Sequence, residues 1–205
     1  EAMSSAGTIA IYSEDTKTGE RLLRQVLSLR PNYVPAMHVL ADYLPGIGKR
    51  DEAIQMIDLA INIDPLSSVL YGKRAAILED MGRFEPAKSS YLKAMEIDPD
   101  FPNGWAGLAV LDAYVFRQLD SGLTGIRKAA ELDPGNPLLL NLQTVMYQDI
   151  GLHADGMETA RRLYDKHGRE YSCTLSYAEL IAGNAKESQR LSQNVPTDSC
   201  GGYWL

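Results

Sequence analysis

YGKRAAILEDMGRFEPAKSSYLKAMEIDP, residues 71–99, is the stretch whose reading decides the fold. Tyr71, Ala75 and Leu78 recur at helical spacing and build one apolar stripe. Gly82 interrupts it, and Ala87, Tyr91, Ala94 and Met95 build a second stripe that ends at Asp98-Pro99. Pro86 fits the first turn of that second helix, where its missing N–H has no partner to lose. Outward from this stretch the same chemistry returns at a fixed offset. Pro31, Pro65, Pro99 and Pro134 stand 34, 34 and 35 residues apart, the last three each following an aspartate, Asp64, Asp98 and Asp133. Ala60, Ala94 and Ala129 keep step, as do Ile63, Ile97 and Leu132, and Gly48 with Gly82. Small residues fall at Ala53, Ala87, Gly122 and Gly156, at steps of 34, 35 and 34. A fixed period in this range marks a stacked repeat.

The frame divides the chain into a partial N-terminal repeat over 1–33, repeats over 34–67, 68–101, 102–136 and 137–170, and C-terminal capping helices with a tail over 171–205. All belong to one expected solenoid domain, 1–205. Residues 1–14, with Ile9, Ile11 and Tyr12, read as a frayed or partial helix, and Leu22, Leu23, Val26 and Leu27 as one helix face stopped at Arg30-Pro31. The extra residue of the 102–136 unit is expected in the turn around Gln118 to Ser121. Each helix is about 13 residues, roughly 20 Å long. A single pair cannot cover both of its apolar faces, whereas a row of pairs can, and this is the physical reason for the repetition.

Trp105, Leu108, Ala109, Gly122, Ala129 and Pro134 in one unit, and Tyr71, Ala75, Leu78, Gly82, Ala87, Tyr91, Ala94 and Pro99 in another, resemble the tetratricopeptide repeat. The resemblance implies an all-α fold, a right-handed superhelical solenoid of about five helix-turn-helix repeats. Arg74, Asp112 and Gln143 depart from the pattern, standing where an apolar residue is usual. They are expected at half-exposed edges, or, for Arg74 and Asp112, in a pair that sets stacking register.

Composition narrows the function classes. The chain of 205 residues is 45% hydrophobic and 23% charged, with net charge −7. It has no Lys/Arg-rich run, so the electrostatic footprint of a nucleic-acid binder is missing. No apolar run approaches the roughly 20 residues that span a bilayer, so no direct membrane insertion is expected of this segment. The chain starts at Glu1 without an initiator Met, so it is expected to be a piece of something longer. Gly46-Ile47-Gly48-Lys49 lacks the frame and the strand-to-helix context of a phosphate loop. His38, His153 and His167 are scattered, with no ligand spacing, so no metal and no cofactor is expected, and no catalytic constellation can be argued.

The resemblance implies a concave groove lined by the first helix of each pair. By spacing it would present His38 and Asp42, then Val69, Lys73, Ala76 and Glu79, then Asn103, Ala106, Val110 and Ala113, then Asn141, Val145 and Gln148. The apolar members suit a peptide or protein segment with small apolar anchors, aided by the amides. Family members that grip acidic chaperone tails use a cluster of Lys, Asn and Arg on this face. Here only Lys73 is basic, which disfavours that partner. The function expected is a non-catalytic protein–protein interaction scaffold. The alternative is the regulatory or sensor segment of a larger bacterial membrane-anchored transcription regulator or cyclase, which the Asp-Pro-Leu-Ser after the first full unit resembles. Cys173 and Cys200 are either unrelated thiols or a disulfide closing a loop of about 27 residues, worth roughly 3–4 kcal/mol by chain entropy. A bond would place the protein in a bacterial extracytoplasmic (periplasmic) compartment, and its absence in the cytoplasm. Mass spectrometry finding both thiols free in the native protein would remove the pairing.

Overall fold

Why the Asp-Pro steps end helices is visible at each one. The N–H groups of Asp64, Asp98 and Asp133 close the last helical turn on the carbonyls of Ala60, Ala94 and Ala129, and each aspartate then leaves the helical region. The following proline enforces that exit. The computed structural model describes residues 2–13 and 15–192. Among them are twelve α-helices and no strand: α1 (Ala2–Ile11), α2 (Thr16–Leu29), α3 (Val34–Tyr43), α4 (Arg50–Ile63), α5 (Ser68–Asp80), α6 (Phe84–Ile97), α7 (Pro102–Val110), α8 (Leu119–Leu132), α9 (Pro137–Asp149), α10 (His153–His167), α11 (Ser172–Ile181) and α12 (Ala185–Ser192).

The chain forms two compact units, Glu1–Leu111 and Asp112–Leu205, and the division falls inside the 102–136 repeat of the sequence frame. In the first unit, α1/α2, α3/α4 and α5/α6 are helix hairpins. Each packs on the next through α2–α3 and α4–α5, and α6 packs on α7. In the second unit, α8 packs on α9, α9/α10 and α11/α12 are hairpins, and α10 packs on α11. The repeated small residues sit at the tightest points: Ala53, Ala60, Ala87, Ala94 and Ala129 are fully buried. Leu23, Leu40, Leu44, Ile57, Leu78, Ile126, Leu140 and Leu163 fill the space between hairpins. At roughly 1.5–3 kcal/mol per buried side chain of this size, the shared core is the dominant favourable term.

Three features differ from the sequence expectation. Residues 2–11 form a complete helix rather than a frayed one. It lies so close to α2 that a Cβ on Gly19 would meet the Ile11 backbone nitrogen at 2.6 Å. That closeness depends on glycines, which leave no trace in hydrophobic periodicity. The extra residue of the third repeat is absorbed as a π-helical turn at Leu111–Val115, closed by the Gln118 N–H on the Asp112 carbonyl at 2.7 Å. The added residue widens the helix locally, ahead of the expected turn. Arg117, at φ 59°, then stands where Gly48, Gly82 and Gly151 stand in other repeats, at φ 78°, 70° and 84°. At the C-terminal end α12 turns Ser188 and Leu191 inward and its charged residues outward, as a polar cap requires. Cys173 is half-buried on α11, whereas Cys200 and the tail lie outside the described residues.

Candidate functional site

The first helices of the hairpins carry the candidate site, and in the first unit these are α3 and α5. Residues four apart on α3 and three or four apart on α5 share a face. This places His38 and Asp42 opposite Val69, Lys73 and Ala76. The Lys73 ammonium donates to the Asp42 carboxylate, tying the two helices together. His38 Nδ1 lies 4.0 Å from the other Asp42 oxygen, and His38 Nε2 is buried with no hydrogen-bond partner. Burial holds the His38 imidazole below its ordinary pKa and the Lys73 charge adds to this, against the opposing pull of Asp42. Beside this cluster is an open pocket of ≈ 220 Å³ walled by Ala41, Pro45, Ala76 and Ile77, with Asp42, Lys73 and Asp80 as its polar members. Asp80 is engaged by Arg50 Nε at 2.6 Å. Both aspartates of the pocket are thus neutralised by paired cations, and what remains open to a partner is small and apolar.

Other groove positions fare differently. Val69, Ala76 and Asn103 are exposed, and Val110 and Val145 are half-buried. Glu79 is half-buried and accepts from the Tyr91 hydroxyl. Burial raises the Glu79 carboxyl above its ordinary pKa, and the Tyr91 hydrogen bond works the other way. Ala106 and Ala113 are buried, Asn141 is 5% exposed and Gln148 is 4% exposed. Asn141 Oδ1 accepts from Thr174 Oγ1 at 2.6 Å, and Gln148 Oε1 meets His153 Nδ1 at 2.9 Å. The two amide oxygens therefore join α9 to α11 and α10, while Gln148 Nε2 is buried with no hydrogen-bond partner. Helical spacing alone assigns a face but not what the next hairpin covers. The pocket residues missed by that reading are Ala41, Pro45, Ile77 and Asp80. Ile77 and Asp80 flank the stripe by one position, and Pro45 belongs to a 3₁₀ turn at Leu44–Ile47.

The departures from pattern each have a partner inside their own unit. Arg74 Nε donates to Asp58 at 2.7 Å and its Nη1 to Ser90 Oγ at 2.8 Å, while Asp112 accepts from Ser121 Oγ at 2.5 Å. Gly46-Ile47-Gly48-Lys49 runs through the 3₁₀ turn into the left-handed Gly48, a helix-to-helix connection. Among the described residues, no group of three His, Cys, Asp or Glu could hold a metal ion, and no helix is long and apolar enough to cross a membrane.

The hairpin α5/α6, with Gly72 of α5 seating the Phe101 ring and Gly107 of α7 seating that of Tyr91, coincides with the segment matched by the family model for the tetratricopeptide repeat, residues 69–101. Residues 69–101 are a tetratricopeptide repeat, and the chain has the fold of tetratricopeptide-repeat proteins. Proteins built from these repeats serve in general as non-catalytic scaffolds for protein–protein contact. The chain is 32% identical over 92 residues to the Hsp70-Hsp90 organising protein of Plasmodium falciparum, covering 45% of this chain and 36% of that one. It is 25% identical over 151 residues to the human protein O-mannosyl-transferase TMTC3, covering 66% of this chain and 16% of that one. It thus spans about a third or less of the length of these curated relatives. Among solved structures, PilW, a type IV pilus biogenesis factor, shares the fold at TM-score 0.79 and 14% identity, over 94% of this chain and 90% of that one. The pilF protein of Pseudomonas aeruginosa does so at TM-score 0.76 and 13% identity, over 94% and 88%. These tetratricopeptide-repeat matches bear on fold alone.

Proposed function

We propose that the α3–α5 face of this chain is a docking site for a segment of another protein, and that the chain acts there as a scaffold without catalysing a reaction. The observation that carries this reading is the ≈ 220 Å³ pocket walled by Ala41, Pro45, Ala76 and Ile77. A small apolar side chain of a partner fits such a wall. Val69, 44% exposed on the same helix, extends the apolar surface. The paired charges at the rim fix orientation more than affinity, because exposed ion pairs are each worth about 0–1 kcal/mol. Lys73, the basic residue of the expected groove, is already engaged by Asp42. A partner with an acidic tail would have to displace that contact, so such a tail is a poor fit for this face. Of the expected groove, Asp42, Val69, Lys73, Ala76 and Asn103 are the members we retain.

A photo-crosslinking amino acid at Ala76 tests the reading in cells producing the full chain. A discrete adduct that disappears in Val69→Glu, while thermal unfolding stays unchanged, is the expected result. Adducts that form equally from an exposed outer position such as Leu92 and ignore Val69→Glu would refute it.

A further inference from the structure

A second pocket lies in the second unit, walled by α8, α9 and α10 around the α8–α9 turn. It has a volume of ≈ 290 Å³ and is lined by Arg127, Ala130, Glu131, Pro134, Gln143 and Arg162. Two guanidinium groups enter it from different helices. Arg127 spends its Nε on the Tyr147 hydroxyl at 3.0 Å, and Arg162 spends one Nη2 hydrogen on the Pro134 carbonyl at 3.2 Å. Lys166, one turn beyond Arg162, reaches the same turn: a Cβ built on Gly135 would stand 3.1 Å from its Nζ. In a chain of net charge −7, none of these three cations forms an ion pair among the described residues. Acidic groups in its neighbourhood include Glu131 on the pocket wall, Asp133 beside Pro134, which accepts from Asn136, and Asp155, whose charge is felt at Arg127 without an ion pair.

Gln143 explains how the site is held. It is the polar residue at a position where an apolar one is usual, and it is buried. Its Nε2 donates to the same Tyr147 hydroxyl that receives Arg127, at 3.1 Å. With both lone pairs of that oxygen engaged, the Tyr147 proton is left for an acceptor. Gln143 and Tyr147 thereby position Arg127, whose guanidinium carbon also lies 5.6 Å from the centre of the Tyr147 ring.

We infer that this pocket binds a carboxylate group of an acidic peptide segment, with Arg127 and Arg162 as the ligating pair and Lys166 adding charge. A guanidinium fork matches a planar carboxylate, and two forks from separate helices give such a site direction. Glu131 on the wall selects among anions, since it repels a phosphate dianion more strongly than a singly charged carboxylate. Phosphate is therefore the disfavoured source of the same negative charge.

Fluorescence anisotropy with the full chain and a labelled Glu-Glu-Gly-Glu-Glu peptide tests this. Saturable binding is expected, lost when Gln replaces every Glu of the peptide, and weakened severalfold between about 50 and 300 mM salt. Arg127→Gln with Arg162→Gln should raise the Kd at least about 10-fold, while Arg127→Lys with Arg162→Lys should fall between, and Arg83→Gln in the first unit should leave it unchanged. All of these side chains are exposed, so folding is preserved. In the wild-type protein the side-chain amide of Gln143 should shift in NMR spectra on titration with the peptide. Absence of saturable binding, equal affinity of the double variant, tighter binding of a phosphoserine peptide, or shifts confined to the first unit would each overturn the assignment.

Discussion

Replacing Gly107 by alanine puts the packing of the first unit to its sharpest test. A Cβ at Gly107 on α7 would stand 2.5 Å from both Cε1 and the hydroxyl oxygen of Tyr91, and closer still to Cζ. Tyr91 is 5% exposed and its hydroxyl is committed to Glu79, so the ring has no free direction in which to swing. Forcing one extra methyl into such packing costs about 1–3 kcal/mol. If the ring moves, the half-buried Glu79 loses its donor, for roughly another 1–3 kcal/mol. Alanine recovers up to about 1 kcal/mol through helix propensity. The net expectation is a loss of about 2–4 kcal/mol, read as a fall in urea midpoint. Gly46→Ala, where a Cβ meets nothing within 4 Å, is the control and should change stability by less than about 0.5 kcal/mol. In a Tyr91→Leu background the ring is gone, and Gly107→Ala should become nearly neutral, giving a coupling energy of about 2 kcal/mol. Gly107→Ala within about 0.5 kcal/mol of wild type, or costing the same in both backgrounds, would refute the reasoning.

Two further predictions concern the turns and the charge cluster. Arg117→Gly should stabilise by about 0.5–1 kcal/mol, since a left-handed non-glycine residue costs about 1–2 kcal/mol and glycine returns part of that as chain entropy; Gly82→Ala should cost about 1 kcal/mol, and a lower melting temperature for Arg117→Gly would contradict both. For His38 the folded-state pKa lies below the ordinary value, so the unfolded chain binds more protons near that value. Its contribution is therefore fully present above pH about 6.5 and is lost as pH falls through the folded pKa. Urea midpoints at pH 7.5 and pH 5 should converge in His38→Gln relative to wild type, and an unchanged gap would exclude His38 as the source.

How far the fold could be read from residue order follows from where its information lies. Asp64-Pro65, Asp98-Pro99 and Asp133-Pro134 stop helices by local chemistry, and the buried alanines at 60, 94 and 129 recur because every hairpin has the same closest approach. Such signals are local and repeated, so counting finds them. The α1 helix escaped because its contact with α2 rests on Gly7 and Gly19, which carry no hydrophobic signal. The π turn at Leu111–Val115 escaped because one added residue can be absorbed anywhere between two fixed helices.

The candidate site divides along the same line. Residue spacing by itself determined the hairpin repeat and its helix ends near each Asp-Pro step, and grouped His38 with Asp42 on one helix and Val69 with Lys73 and Ala76 on another; that the two groups line one groove came from the resemblance. Only the tertiary structure decided that Asn141 and Gln148 bond neighbouring helices, that Lys73 is neutralised by Asp42, and that Arg127 and Arg162 converge across the α8–α9 turn. Helical periodicity specifies direction around one axis. Burial and charge pairing depend on what the next helix places there: Asp42 stands 31 residues from Lys73 and Asn141 stands 33 from Thr174, although His153 follows Gln148 by only five.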